Sequence, residues 1–584
     1  MIVCGLKLTH DGAVALIDDN RLIFSIEIEK LSNNKRYSSI SDINVVPDIL
    51  KSFGYQLSDV DEWIIDGWDG ITDSKVELLN NHRPMILALS PYHEGNLNEK
   101  SVLSSTDGEF SVLNRKFKYT SYMHVVGHIM STYCTSSFSI KGEPSFVMIW
   151  DGGMFPRLYY VDPNTKSVES YGPFLRIIGH FYATAGHHFG PFKRDNYSKT
   201  ADDLSVAGKL MAYIALGKAN KEIISVFQEI YNKHFTSESV FASEYIDKIG
   251  GYGTSVEPSM KYVHNYFIEV RQKLNKKKFS DEDILTSMHN FLEELILESL
   301  VQNIIKWKGN GLWNLCLAGG CALNIKWNSA FRSNALFKDV WVPPFPNDSG
   351  SAIGTAFAFL FKEKGIMSFD WNARLGPQIE KCTNVLDGWE SEFCSTSELS
   401  YILYDTNQPV LLLHSRAELG PRALGRRSII ATAISSEMKE FLNLVKNREY
   451  YRPVAPICLT EYASQIFNPG TPDPYMLFDH HVRKEWLNKI PAVVHLDQTA
   501  RLQTVDHTDD AVLESILREY YKLSGIPVLC NTSANYNGCG FFSDITSAMK
   551  WGKVDMIWGE GILYKRSEKN IKINKVVDTY ENVI

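Results

Sequence analysis

YMHVVGHIMSTY, residues 122–133, holds His124 and His128 four positions apart in an otherwise apolar, helix-compatible run. That spacing stacks both imidazoles on one helical face. Two neutral imidazoles so placed can hold a divalent metal if distant parts of the chain bring carboxylates or thiolates to complete the shell. The pattern also suits core or surface histidines on an ordinary helix. Which of the two it is depends on the segments to either side.

Towards the N-terminus, MIVCGLKL, THDG, AVALID and RLIFSIEIEK read as strand, turn, strand and strand, a β-meander. His10, Asp11 and Gly12 occupy the first turn, where Gly12 permits close approach of a ligand. His10 titrates near neutrality and suits a general base, or equally a turn histidine bonded to its own backbone. The polar loop EKLSNNKRYSS follows, with Lys30, Lys35 and Arg36 available for a nucleotide or an acyl phosphate, or for solvent.

Towards the C-terminus, SFVMIWDGGM (145–154) is a buried strand ending in Asp151 and then Gly152, a strand-end carboxylate with backbone free to face phosphate. In the stretch 190–218 a helix carries Gly208 and Lys209, which can approach phosphates, although a packing glycine beside a surface lysine is the plainer reading. Residues 281–307 form a long amphipathic scaffold helix. NLCLAGGCALNIKWN runs from a strand through Gly319 and Gly320 into a helix with Asn324 and Asn328 on one face, the layout of a nucleotide-binding turn. Asp348 then precedes a small-residue helix, where an aspartate N-cap is the structural expectation and Ser349 the alternative cap.

With 584 residues, 44% hydrophobic and 22% charged, the chain is an ordinary globular sequence, long enough for about four domains or two large ones, and without an internal repeat. The net charge of -8 argues against a nucleic-acid coat, although the basic run RQKLNKKK (271–278) can touch phosphates. Nine scattered cysteines without a CxxC pair point to a reducing compartment and away from disulfides or a thiolate zinc site. Without a signal-like start or an apolar run of membrane-spanning length, the expectation is a soluble, cytoplasmic protein.

Taken together, HVVGH, Asp151, AGGCALN-x3-N and PNDSGSAIGTA resemble the first domain of the O-carbamoyltransferases, the family of the tobramycin, cephamycin and nodulation-factor enzymes. GLKLTHDGAVALID and GKLM (208–211) fit the same pattern. In the second half, HSRAELGPRALGRRSIIA (414–431), KNREYYRPVAPI (446–457), PAVVHLDQTARLQTV (491–505) and GIPVLCNTSAN (525–535) resemble successive motifs of that family's second domain. One departure is NTSANYNGCG where NTSFN is usual.

The resemblance implies an α/β protein of two domains: an ASKHA-type (actin-like) transfer domain over residues 1–368, and a YrdC-like adenylation domain over 369–584. It implies an ATP-dependent reaction in which carbamoyl phosphate and ATP, with Mg, give carbamoyl-adenylate, whose carbamoyl group then passes to an acceptor hydroxyl. Arg422, Lys446, Arg452, Arg501 and Ser533 would hold carbamoyl phosphate or the adenylate. His124, His128, Asp151 and Asp348 would bind Fe(II), Mn or Zn also being admitted by the donor types. Asp11, Gly12, Gly152, Gly208, Lys209, Gly319, Gly320 and Asn324 would line the nucleotide site, with His10 as base and Lys35 as stabiliser of developing charge. The acceptor would be a small molecule or hydroxymethylcytosine-type DNA, the assembly a homodimer without a membrane partner. Two other readings remain: an ASKHA-fold metabolite kinase releasing ADP, and a non-catalytic nucleic-acid-associated module.

Overall fold

A computed structural model describes residues 1–68, 74–95, 101–194, 203–235, 256–275 and 277–567. The first half is built on two sheets. Strands β1 (Ile2–Lys7), β2 (Ala13–Asp18) and β3 (Arg21–Glu27) form the expected antiparallel meander, and β4 (Glu62–Asp66) joins β1 in parallel. β5 (Ser74–Asn80) and β6 (Arg83–Leu89) pair as a separate hairpin. β7 (Ser105–Val112) and β8 (Arg115–Tyr122) complete the first sheet in the order β3-β2-β1-β4-β8-β7. The second sheet, of β9 (Ser145–Ile149), β10 (Arg157–Asp162), β11 (Ser167–Pro173), β12 (Trp313–Ala318) and β13 (Phe337–Trp341), has the order β11-β10-β9-β12-β13.

Both sheets therefore start from a three-stranded antiparallel meander, to whose first strand a later strand adds in parallel. The sequence shows no repeat, yet the topology repeats. Alternating residues explain how such a sheet is covered on both faces. Ala13, Ala15 and Ile17 of β2 face the core between the sheets, and Val14 and Leu16 face the outer core against the helix Val45–Ser52.

The helices His124–Tyr133 and Ser351–Phe359 fill the space between the sheets. They cross where neither has a side chain: a Cβ on Gly354 would sit 1.8 Å from the Gly127 carbonyl oxygen, and one on Gly5 2.1 Å from that of Ala352. These contacts bring the histidine-bearing helix and the Asp348 turn against the end of β1. Small residues in SAIGTAFAF make that approach possible.

The scaffold helix forms over Asp281–Lys308, with Ser280 capping through Asp283 N–H and Gly309, at φ 85°, ending it. Its His289 accompanies Trp327, while Glu293 lies 3.8 Å from the imidazole. Burial pushes the Glu293 carboxyl up to about 7 against the opposing charge of Lys326. A carboxyl raised in the folded state favours folding below its ordinary value of 4.5, and that contribution is lost as pH rises through about 7. Glu293→Gln is therefore expected to raise the melting temperature at pH 8 and not at pH 5, which a thermal-denaturation series over pH measures.

The second half carries a mixed eight-stranded sheet running from the edge strand Trp389–Phe393 to Gln503–Val505, with Arg427–Thr432 and Val528–Ser533 at its centre. The helices Thr396–Thr406 and Ala511–Ser524 cover one face, Ser436–Val445 and Ile545–Trp551 the other.

The two halves are stitched by the loop after β3. Lys30, fully buried, donates to Glu27 Oε1 (2.7 Å), Glu418 O (2.5 Å) and Gly420 O (2.8 Å), and Gly420 N–H returns to Glu27 (2.7 Å). Further along, Asn33 donates to Ser547 Oγ, Arg36 N–H to Gly538 O, and Gly540 N–H to Asn34 O. All nine cysteines are free thiols. Among the described residues no helix is long and apolar enough to cross a membrane. In the basic run, Lys276 lies outside the described residues, Lys273 pairs with Glu229, and Lys277 pairs with Glu222.

Candidate functional site

One end of β1, the first turn of the 124–133 helix, the end of β9 and the turn before the 351–359 helix converge. There His124, His128, Asp151 and Asp348 offer ligand atoms all within 4.8 Å of one another. Asp348 is not the helix cap that its position allowed, since that helix has no side-chain cap. Its Oδ1 instead lies 3.4 Å from Nε2 of both His124 and His128.

The neighbours of these groups aim them inward. Asp66, at the end of β4, takes His124 Nδ1 at 2.6 Å, leaving Nε2 directed at the cluster. Lys7 lies 2.9 Å from Asp348 Oδ2. Asp151 accepts from Gly320 N–H (2.8 Å) and Tyr92 Oη (2.5 Å). His124 Nε2 and both His128 ring nitrogens are buried without a hydrogen-bond partner. Buried polar atoms are otherwise almost always satisfied, so this donor set fits a divalent cation. With no ion, burial and Lys7 oppose protonation of His124, but Asp66 and Asp348 outweigh them and lift it to about 9. A bound metal would take the place of that proton.

His10 stands at the mouth of the cluster, Nε2 3.5 Å from Asp348 Oδ2 and Nδ1 3.3 Å from Asp11, with its side chain 38% exposed. Trp68 meets it edge to face, 5.0 Å between ring centres. Its partner is thus a neighbouring carboxylate rather than its own backbone. Burial lowers the basicity of His10, but Asp348 and Asp11 more than reverse that, and its pKa rises above the ordinary histidine value.

The second site is a cavity between the halves, lined by Arg36, Arg422, Arg448, Arg452, Arg501 and Ser533 among others. Its one lining carboxylate among the described residues, Asp479, is held by Lys326 at 2.9 Å. The guanidiniums therefore face one another with little compensation. Burial and then Arg36 push Arg422 down to about 10; burial and Arg452 push Arg448 down to about 9. Arg501, buried among Arg422, Arg448 and Arg452, is held well below the usual range. A dianion or polyphosphate is the natural counter-charge.

The remaining expected residues divide. Gly208 lines the cavity, and a Cβ added there would meet nothing within 4 Å, so it leaves open space. Lys209 pairs with Glu449 at 3.1 Å, across the halves, rather than pointing free at a phosphate. Lys446 donates to Asn535 O (2.7 Å) and Oδ1 (2.6 Å), and the same Asn535 side-chain oxygen accepts from Ser533 Oγ. It stands behind Ser533 rather than among the lining residues. Lys35 is exposed, its backbone bridged to Cys539, and the buried ammonium beside the cluster is Lys7.

Gly12 corrects the expectation of ligand approach: a Cβ there would lie 2.7 Å from Ile40 N, so the chain's own loop occupies that space. Gly152 adjoins the His180 imidazole, Gly319 turns at φ 85° against Trp150 O, and Asn324 caps the helix Ile325–Arg332 through Lys326 and Trp327 N–H. Gly320 gives its N–H to Asp151. Gly152, Gly319, Gly320 and Asn324 thus shape the turns around Asp151. Lys7 and Asp66 had no assigned role from sequence; an isolated lysine inside the apolar strand MIVCGLKL was the available signal for the first, whereas Arg36, read as a cation available to a phosphate, does line the arginine cavity.

The family profile described as Carbamoyltransferase N-terminus matches residues 2–357, and Carbamoyltransferase C-terminus matches 403–566. Nodulation protein U of Rhizobium tropici is 48% identical over 97% of this chain and 96% of its own, and nodulation protein U of Sinorhizobium fredii 47% over 97% and 99%. The 3'-hydroxymethylcephem-O-carbamoyltransferase of Streptomyces clavuligerus is 31% identical over 96% of this chain and 98% of its own. Matched along nearly its whole length by both domains of one enzyme family, the chain belongs to the carbamoyltransferases.

Proposed function

We propose that the chain is an ATP-dependent O-carbamoyltransferase working in two stages, with an ASKHA-type first domain and a YrdC-like second. The loop between β3 and the helix Val45–Ser52 carries this reading. Its Tyr37 and Ser38 carbonyls accept from Asp11 and Gly12 N–H beside His10, while its Arg36 enters the arginine cavity. One loop thus spans from base to anion site.

In the cavity, one water attacks the carbamoyl carbon of carbamoyl phosphate, releasing phosphate and leaving carbamate, whose oxygen attacks the α-phosphorus of MgATP. Carbamoyl-adenylate forms and pyrophosphate leaves. Arg422, Arg448, Arg452 and Arg501 neutralise the phosphates, and Ser533 and Thr532, tied by Arg448 at 3.4 and 2.9 Å, hold hydroxyls beside them. Enclosure protects carbamate from water. At the second site His10 takes the proton of the acceptor hydroxyl as its oxygen attacks the carbamoyl carbon, and AMP leaves. A divalent ion held by His124, His128, Asp151 and Asp348, Fe(II) by family likeness with Mn or Zn admitted by the donors, supplies Lewis acidity and charge compensation there when bound.

A small-molecule hydroxyl is the acceptor this reading favours. The relative from Streptomyces clavuligerus is named for a hydroxymethyl acceptor, and Lys273 and Lys277 of the basic run, the contacts suggested for DNA, are spent on glutamates. A homodimer is carried over from the family, and a cytoplasmic location from the scattered free cysteines. A metabolite kinase would leave the arginine cavity without a purpose.

Incubating the protein with Fe(II), ATP and carbamoyl phosphate is expected to yield AMP and pyrophosphate only when carbamoyl phosphate is present. Adding a panel of hydroxyl compounds, with hydroxymethylcytosine DNA included, should give one acceptor a carbamoyl mass. ADP as product would favour the kinase, and no turnover the binding module.

A further inference from the structure

Among the described residues that line the arginine cavity, one buried side-chain oxygen has no hydrogen-bond partner, Oδ1 of Asn531. The nitrogen of the same amide is fully engaged. Asn531 Nδ2 donates to Ala423 O (2.9 Å) and to Gln503 Oε1 (2.8 Å), and Gln503 Nε2 donates to Leu424 O (3.0 Å). Both side chains are buried.

The partners decide which end of each amide is nitrogen. A main-chain carbonyl only accepts, so Leu424 O takes the nitrogen of Gln503, whose oxygen is left to receive the nitrogen of Asn531. Ala423 O takes the second hydrogen of that nitrogen. Turning the Asn531 amide over would set its oxygen against two acceptors. The relay therefore fixes one acceptor in a cavity whose other unpartnered buried side-chain atoms among the described lining residues, Nε of Arg422 and Nε of Arg501, are donors. Phosphate and carbonyl oxygens satisfy donors, and neither can satisfy this oxygen.

We propose that Asn531, oriented by Gln503, accepts an N–H from the amide of carbamoyl phosphate and so distinguishes a carbamoyl from an acetyl phosphate, an inference that rests on the reaction proposed above. Asn531 and Ser533 are alternate residues of the strand Val528–Ser533 and project to one face about 6–7 Å apart. With the phosphate at Ser533 and Arg448, the amide nitrogen of the same small molecule comes within reach of Asn531. Acetyl phosphate has the same shape and charge but sets a methyl where the nitrogen stands, and leaves the Asn531 oxygen unpaired. An acceptor buried without a partner costs roughly tenfold to a hundredfold in affinity. Gln503 does not line the cavity and is a positioning residue.

The test uses the full chain and two inert phosphonates in titration calorimetry. Phosphonoacetamide keeps the carbamoyl group and has a methylene for the bridging oxygen; acetonylphosphonate differs from it only by a methyl in place of the amide nitrogen. The parent should bind the amide at least about tenfold more tightly than the ketone. Asn531→Leu should bring that ratio to within about threefold by weakening phosphonoacetamide, while acetonylphosphonate and inorganic phosphate bind as in the parent. Gln503→Met, which keeps the Asn531 oxygen and removes its lock, should lower the ratio at least about threefold. Equal loss of all three ligands in folded Asn531→Leu would mean that Asn531 only ties the 423–424 loop to the strand, and overturns the proposal, as does a ratio that stays above tenfold. If Asn531→Leu does not fold, the ratio in Gln503→Met decides. Carbamoyl-phosphate-dependent pyrophosphate release by the parent is measured alongside. A parent that releases pyrophosphate without preferring the amide overturns this inference alone, and a parent that releases none overturns the reaction on which it rests.

Discussion

Arg501→Met is expected to lower carbamoyl-phosphate-dependent formation of AMP and pyrophosphate about four-hundredfold while raising the melting temperature of the ligand-free protein. The two effects have one cause. Arg501 is buried with its Nε unpartnered, and burial together with Arg422, Arg448 and Arg452 disfavours its charge. Without an anion, the guanidiniums repel one another across a cavity whose lining carboxylate, Asp479, is already committed to Lys326. A methionine of similar length keeps the stem packed and removes that repulsion. With substrate bound, however, the guanidinium faces phosphate oxygens, and losing one buried charge-assisted contact of this kind costs roughly 2–5 kcal/mol. That interval spans about thirtyfold to five-thousandfold and is centred near four-hundredfold.

Opposite signs for stability and activity separate this account from simple misfolding, which would lower both. Melting curves should also respond to ligand: the parent should gain more from carbamoyl phosphate than the variant does, because binding to the folded state alone stabilises it. A variant less stable than the parent and unresponsive to ligand would mean that Arg501 is held by internal partners instead. The sequence placed this arginine in a dense set of cations without showing which were free. Arg427 illustrates the difference, since its guanidinium is spent on the carbonyls of His414, Ser415, Pro377 and Arg426.

What was legible in the chain follows from where the determinants lie. The four candidate metal-binding residues could be found because His124 and His128 share one helical face, and because Asp151 and Asp348 occupy a strand end and a helix entry, positions with local signatures. Lys7 could not be assigned, for its partners Asp66 and Asp348 reach it only through sheet register and the Gly127–Gly354 crossing. The cations after β3 look alike as residues, yet Lys30 locks the two halves, Lys35 meets solvent and Arg36 enters the cavity. Tertiary placement alone distinguishes them. The repeated sheet topology left no trace because its inner positions require alternation and volume, which many apolar residues supply equally well.

Replacing His10 with Asn is expected to lower carbamoyl transfer to the acceptor by about a hundredfold to ten thousandfold, the usual yield of a positioned base. AMP and pyrophosphate formation should stay within about twofold, since His10 does not line the arginine cavity. Asparagine keeps a hydrogen-bonding group near Asp11 but cannot take a proton. His10 is suited to that task by its exposure, which admits an acceptor, and by its 3.3 Å contact with Asp11, which orients the ring. Only the unprotonated imidazole accepts the hydroxyl proton, so transfer by the parent should fall as pH drops through the His10 pKa. Asp348 and Asp11 raise that pKa above 6.5, and an ion that neutralises Asp348 should bring the limb back towards 6.5. The limb should vanish in His10→Asn, whose residual rate would be flat with pH over the same range. Single-turnover transfer from preformed adenylate, measured across pH with and without metal, tests both halves. Transfer that persists at the parental rate in His10→Asn would remove His10 as the base and leave the acceptor proton to another group at the mouth of the cluster.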